Sequence, residues 1–288
     1  MRLISNTCLF LLLGIPLFVN PALSATSLGD AAPELQINEW IKGGPFTLKE
    51  GLGKNIFVIE FWQTECPHCR ESLPYLSLLQ AQYKNDGVIF IGITVEDPAT
   101  VKAFLKENRD AEYALAVDDE EKTYDSFMEA FGISGVPHAF VIGRQGRILW
   151  EGHPMDNLDE VLEQTVAGRY DLNEAINVSR ARKLLTAYVY LSIETGEKVI
   201  SRLVGNRIVE YGGNNAALLD KLARFIISNK KVRQPDLELA ARAARRACDV
   251  TGEAEPAALE VYADVLHRMG AEEKSRVYRK RAENLSRE

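Results

Sequence analysis

Residues 60–70 read Glu-Phe-Trp-Gln-Thr-Glu-Cys-Pro-His-Cys-Arg. The apolar run that leads into them, Asn55 to Trp62, reads as a buried strand, and Cys66 to Tyr83 reads as a helix. Cys66 and Cys69 therefore fall where a strand hands over to a helix, and free backbone N–H groups and the helix dipole favour negative charge there. That matters because the thiolate is the nucleophile, and an ordinary cysteine, with a pKa near roughly 8.5, is mostly protonated at neutral pH. Pro67 suits the first helical turn, where its missing N–H has no partner to lose. His68, when protonated, would favour the Cys66 thiolate. Two cysteines at this spacing can close a small disulfide ring, so the second thiol can resolve a mixed disulfide formed by the first. The competing reading of Cys-x-x-Cys is half a zinc site, which needs two further ligands. Cys248 is remote, and His138 and His153 stand outside any second ligand pair, so no metal is expected.

Outward from this stretch, short apolar strands alternate with amphipathic helices from Phe46 to about Gly168, the pattern of an α/β domain. Val88 to Val95 has almost no polar alternation, as a strand covered on both faces should. Pro74 inside the first helix predicts a kink. Pro98 to Glu107 reads as helix, Tyr113 to Val117 as extended and Tyr124 to Phe131 as helix. Ala139 to Ile142 and Arg147 to Trp150 are separated by Gly-Arg-Gln-Gly and read as a hairpin, and Asn157 to Val166 as a closing helix.

Beyond about Tyr170 the composition shifts to Ala, Leu, Arg and Glu with no further strand signal, which places a boundary near Gly168. Ala240, Ala243 and Ala247 recur 35 residues on as Ser275, Tyr278 and Ala282, and Gly270 marks the turn inside the final pair. Leu222, Ala223 and Ile226 align with Tyr262, Ala263 and Leu266 at a shift of 40. Small residues repeating on one face let helix pairs stack. Ala181 to Arg287 thus resembles degenerate tetratricopeptide repeats, with ordinary helical-bundle packing as the alternative. Arg242, Arg245 and Arg246 read as a solvated helix face.

The chain has 288 residues, 46% of them hydrophobic and 26% charged, enough for two globular domains. A formal net charge of −7 offers no overall basic surface, which argues against nucleic acid as a ligand. At the N-terminus Arg2, the apolar run Cys8 to Val19 and Pro21-Ala-Leu-Ser-Ala25 form the pattern of a signal peptide. The expected division is residues 1–25 as signal, 26–168 as the redox domain and 169–288 as a helical domain. Export to the periplasm or extracellular space follows, with a retained N-terminal anchor as the alternative. Cys248 reads as a buried small hydrophobe.

Taken together, residues 60–70 resemble the active-site segment of the thioredoxin superfamily, in particular its exported TlpA/ResA-like branch. Glu60, six residues before Cys66, stands where that family carries a buried acid beneath the second cysteine, and Trp62 matches its aromatic. Pro74 matches the helix proline, Gly135-Val-Pro-His138 the loop whose proline is cis and lies against the redox pair, and Gly146 and Gly152 the last hairpin. The long segment from Glu96 to Phe131 looks like the extra strand and helix of this branch. Two departures stand out. Glu65 replaces the usual tryptophan, and Pro67-His68 is the dipeptide of strongly oxidising DsbA-like proteins rather than the Gly-Pro of thioredoxin.

The resemblance implies an α/β thioredoxin fold, a mixed sheet flanked by helices, followed by an all-α repeat region. It implies a thiol-disulfide oxidoreductase with Cys66, Cys69, Glu60 and Pro137 as the working residues and Pro67, His68, Trp62 and Val136 in support. No cofactor beyond the redox disulfide is expected. The expected partners are a protein thiol or disulfide substrate and a redox partner protein, with docking through the helical repeats. Glu60 sits in an apolar run, where an unpaired charge is costly, so a proton-transfer role fits it. A peroxiredoxin would need threonine and proline where Gln63 and Ile59 stand. A scaffold with an inert redox fold is the alternative from another class.

Overall fold

The computed structural model describes residues 26–108, 110–232 and 234–287, so the proposed signal segment, with Arg2 and Cys8, lies outside the described residues. Six strands form one mixed sheet: β1 (Ile37–Lys42), β2 (Ile56–Phe61), β3 (Val88–Thr94), β4 (Ala114–Asp118), β5 (His138–Ile142) and β6 (Ile148–Gly152). Their order across the sheet is β1-β4-β3-β2-β5-β6. β2 pairs in parallel with β3 and β3 with β4, and the other neighbours run antiparallel. This is the thioredoxin-like arrangement that the sequence implied. β2 is buried along its whole length, and its residues alternate between two cores. Ile56 and Val58 face a cluster with Leu73 and Leu76 of α1 (Pro67–Tyr83), Val101 of α2 (Pro98–Glu107) and Leu162 of α4 (Leu158–Val166). Phe57, Ile59 and Phe61 face a second cluster with Phe127, Met128 and Phe140. Glu60 points to the α1 side by the same alternation.

Three local readings are corrected. β1 lies before Phe46, where the strand pattern was expected to begin: Ile-Asn-Glu-Trp-Ile-Lys mixes polar and apolar residues because it is a half-exposed edge strand with two register shifts against β4. The helix expected from Tyr124 begins earlier, as α3 (Lys122–Tyr124), and widens into a π-turn over Asp125–Glu129. Arg147 is outside β6 and forms an isolated bridge with Ala31. α1 runs on through Pro74 to Tyr83.

After residue 166 the described residues hold only helices: α5 (Leu172–Tyr190), α6 (Lys198–Gly212), α7 (Ala216–Ser228), α8 (Leu237–Val250), α9 (Pro256–Arg268) and α10 (Glu272–Leu285). They pack as consecutive pairs. The connection 229–236 inside the α7–α8 pair has eight residues and 269–271 inside the last pair has three, and this difference of five is the difference between the sequence shifts of 40 and 35. Ala240, Ala243 and Ala247 are all buried against neighbouring helices. Of the α8 arginines, Arg242 and Arg246 are exposed, as a solvated face should be, and Arg245 is half-buried, but all three also reach neighbouring helices. Arg242 reaches Asn206 of α6 (2.6 Å), Arg246 reaches the Gly213 carbonyl (3.1 Å), and Arg245 lies over the rings of Tyr262 and Tyr278.

The two halves share a seam. The Tyr170 hydroxyl donates to the Leu149 carbonyl at 2.9 Å, and its ring packs on the α1-side core. Leu172 and Ile176 close over Gly29. A chain ended at Gly168 is expected to fold but to melt roughly 5 °C below one ended at Asp171, because it loses the Tyr170 ring and bond. Thermal unfolding of the two truncations checks this, and equal midpoints would place the seam elsewhere.

Candidate active site

β2 delivers the chain to the site, and the loop 62–66 turns it into α1. Cys66 is the N-cap, with extended backbone angles (φ −83°, ψ 113°), and its Sγ accepts the Cys69 N–H at 3.1 Å. A sulfur thus occupies the place where a helix presents unsatisfied donors. Cys66 and Cys69 are joined as a disulfide with their Cα atoms 5.2 Å apart. Cys66 is half-buried, whereas Cys69 is wholly buried. Pro67 opens the helix and is exposed, as is His68, whose Nδ1 lies 3.3 Å from Glu71 Oε2.

The loop is braced from both sides. Thr64 donates its N–H and its hydroxyl to the two carboxylate oxygens of Glu96, each at 2.7 Å. Arg70 donates to the Thr64 carbonyl at 2.7 Å and lies 5.5 Å over the Phe104 ring. Trp62 is fully buried and packs against the same ring at 5.7 Å, so it is a core residue beneath the loop. On the other side the Val136–Pro137 peptide is cis, Pro137 is buried, and the Val136 carbonyl oxygen lies 3.6 Å from Cys66 Sγ. His138 is the first residue of β5 rather than a loop residue, and its Nε2 lies 2.9 Å from Glu151 Oε2.

Glu60 lies on the α1 side of β2, 1% exposed. Its Oε2 accepts the Tyr113 hydroxyl at 2.6 Å and its Oε1 accepts the Ser72 hydroxyl at 2.8 Å. Its strand neighbours in register are Gly92 and Ala139, which bring no charge. Burial pushes the Glu60 carboxyl up to about 7, with the bonds from Tyr113 and Ser72 holding it back. The Tyr113 phenol is raised well above its ordinary value by its own burial and by Glu60. Gly92 matters by its smallness: a Cβ there would lie 2.8 Å from Leu115, 3.1 Å from Trp62 Nε1 and 3.1 Å from the Tyr113 ring.

The structure brings together Cys66, Cys69, Pro67, Val136 and Pro137 around one junction, with Glu60 and Trp62 in the core below. His68 is turned to Glu71 and solvent. Sequence reasoning missed Ser72, Tyr113, Thr64 and Glu96. Ser72 carried a signal, since a residue three beyond Cys69 on a helix lies on the same face. Tyr113 and Glu96 are 53 and 32 residues from their partners, and only the strand pairing brings them in. Among the described residues no group of three or more His, Cys, Asp or Glu is placed to hold a metal ion.

A carboxyl raised from 4.5 to about 7 binds more protons folded than unfolded, so between those values stability falls as pH rises. The Glu60→Gln variant should lack this slope. Chemical denaturation of the oxidised protein should show wild type losing stability from pH 5 to 8, by about 2–3 kcal/mol relative to the variant. Parallel pH profiles would show that Glu60 titrates at an ordinary value.

Residues 27–165 match the Redoxin family. The thiol-disulfide oxidoreductase ResA of Geobacillus thermodenitrificans is 26% identical over 153 residues, 51% of this chain and 84% of that relative. Protein FixW of Rhizobium leguminosarum is 26% identical over 177 residues, 58% of this chain and 79% of that relative. The solved thioredoxin domain of a thiol-disulfide oxidoreductase from Bacteroides vulgatus aligns with 22% identity and a TM-score of 0.43, covering 49% of this chain and 99% of that one. With this family match and a Cys-x-x-Cys pair at the head of α1, residues 27–165 form a redoxin domain of the thioredoxin superfamily, similar to the TlpA/ResA-like thiol-disulfide oxidoreductases.

Proposed function

We propose that this thiol-disulfide oxidoreductase exchanges disulfides with protein substrates through Cys66 and Cys69, with residues 26–168 as the redox unit and 169–288 as a docking unit. The observation that carries the reading is the asymmetry of the pair. Cys66 is half-exposed at a helix N-cap beside the Val136 carbonyl, and Cys69 is buried near a buried acid. In the reducing direction the Cys66 thiolate attacks a substrate disulfide, one substrate thiolate leaves, and a mixed disulfide forms. Cys69 gives its proton to Glu60 and attacks Cys66 Sγ, which releases the second substrate thiolate and leaves the Cys66–Cys69 disulfide. Two electrons pass to the substrate, and a dithiol redox partner restores the pair. The oxidising direction is the same sequence reversed.

Val136 and Pro137 flank Cys66 and offer backbone against which an extended substrate segment can lie. The chemistry uses no cofactor besides the disulfide. Export rests on the pattern of residues 1–25; among the described residues no helix is long and apolar enough to cross a membrane. The stacked pairs α5–α10 fit the docking of a protein partner.

Cys69→Ser should accumulate a covalent Cys66 adduct with substrate, and Cys66→Ser none, as read by mass spectrometry after acid quenching. Equal trapping by both variants would reverse or abolish the assignment. The helix N-cap favours the Cys66 thiolate and a protonated His68, though turned to Glu71, adds positive charge two residues away, whereas the negative charge Glu60 takes on limits the shift. The reduction potential should therefore lie between roughly −270 mV, as in thioredoxin, and roughly −120 mV, as in DsbA, and His68→Ala should lower it. Equilibration with glutathione buffers measures both, and a value at or below the lower bound would favour a dedicated reductant.

A further inference from the structure

A buried carboxyl that gains and loses a proton needs a hydrogen-bond partner in both states, because either form left unpaired in the core is costly. Around Glu60 the two partners differ. Tyr113 comes from the residue before β4, is itself buried, and can donate to Oε2 whether Glu60 is ionised or neutral. Ser72 is on α1, one turn beyond Cys69, and its Oγ stands 2.8 Å from Glu60 Oε1 and also 2.8 Å from the Cys69 carbonyl oxygen. A serine hydroxyl has one proton, so it can donate to only one of these at a time.

We propose that Ser72 is a positioning residue for proton exchange, its hydroxyl turning between Glu60 and the Cys69 carbonyl as Glu60 changes protonation state. With Glu60 ionised, Ser72 O–H donates to Oε1. When the Cys69 thiol gives up its proton, a new O–H bond forms on Glu60 Oε1 as the S–H bond breaks. Ser72 then turns its hydrogen to the Cys69 carbonyl and accepts the Glu60 O–H on its lone pair. Every buried donor keeps an acceptor in both states, and no charged side chain need move. Serine is the smallest side chain that can both donate and accept at this place.

The inference rests on the assignment of Glu60 as the acid–base group for Cys69. The titratable side chain bonded to Glu60 is Tyr113 from the β4 side; on α1 Cys69 stands one turn before Ser72, and Gly92 of β3 and Ala139 of β5 bring none. Burial holds the Glu60 carboxyl near 7, so both of its forms are populated around neutral pH.

The test uses the full-length protein with carbon-13 at glutamate carboxyls and at serine Cβ. In wild type, the Ser72 Cβ resonance should titrate with the same midpoint as the Glu60 carboxyl. In Ser72→Ala the Glu60 midpoint should rise by about one pH unit, since the ionised form loses a donor. Resolution of a Cys66 mixed disulfide should slow roughly fivefold to tenfold at neutral pH, with initial attack by Cys66 unchanged. Tyr113→Phe should also raise the midpoint but leave the Ser72 resonance tracking Glu60. A Ser72 resonance flat through the Glu60 transition, or a Ser72→Ala profile superimposed on wild type, overturns the proposal. If Glu60→Gln still slows resolution in that case, the Glu60 assignment stands and only the Ser72 role fails. If Glu60→Gln also resolves at the wild-type rate, both fall. The wild-type titration stands even if the alanine variant folds poorly.

Discussion

A carboxylate in the middle of a sheet, cut off from water, sets the terms for everything around it. Glu60 has the central strand β2 on its own backbone, small residues in register on either side, and α1 overhead. Without Tyr113 and Ser72 its ionised form would be a stranded charge, and with them it titrates near neutrality. The parallel pairing of β2 with β3 and β3 with β4 brings Tyr113 within reach, and the turn into α1 brings Ser72. The same turn makes Cys66 an N-cap and buries Cys69. Acid and disulfide are thus two consequences of one strand–loop–helix unit.

That unit is braced on both sides. Glu96 and Arg70 fix Thr64, two residues before Cys66, while the Val136 carbonyl approaches Cys66 from the loop before β5. The helical half leans on the edge of this frame through Tyr170 and through Ile176 above Gly29. Within that half, small apolar residues and polar ties lie together between the last pairs. Alanines let α8 come close to its neighbours, and Arg245, ion-paired with Asp249 (2.9 Å) and Glu253 (3.1 Å), lies across Tyr262 and Tyr278.

The parts legible in the sequence were those written locally. β2 and β3 are continuous apolar runs, α1 begins at a proline after a cysteine, and the β5–β6 turn carries its glycines. Glu60 stood out because a charge in an apolar strand demands an explanation. β1 did not, because an edge strand facing solvent keeps polar residues and loses the alternation that marks a strand. Tyr113 and Glu96 look like ordinary residues near strand ends, and their roles exist only once β4 and β3 are stacked beside β2. The α8 arginines read as solvated, and two of them are, but their ties to other helices were not legible, because a long side chain on an exposed position can reach across to a neighbouring helix.

Gly92 gives this arrangement an unexpected point of fragility. It touches neither sulfur nor the acid's protons, yet the indole of Trp62 and the phenol of Tyr113 both occupy the space that any larger residue would claim. A single methyl group would meet Leu115 at 2.8 Å and the Trp62 and Tyr113 rings at 3.1 Å, so the packing beside the partner of Glu60 would have to give way from a backbone position on the neighbouring strand. In sequence drift, the site is therefore bounded by a missing side chain as firmly as by those present. The cysteines could survive unchanged in a descendant whose packing around Glu60 had already shifted.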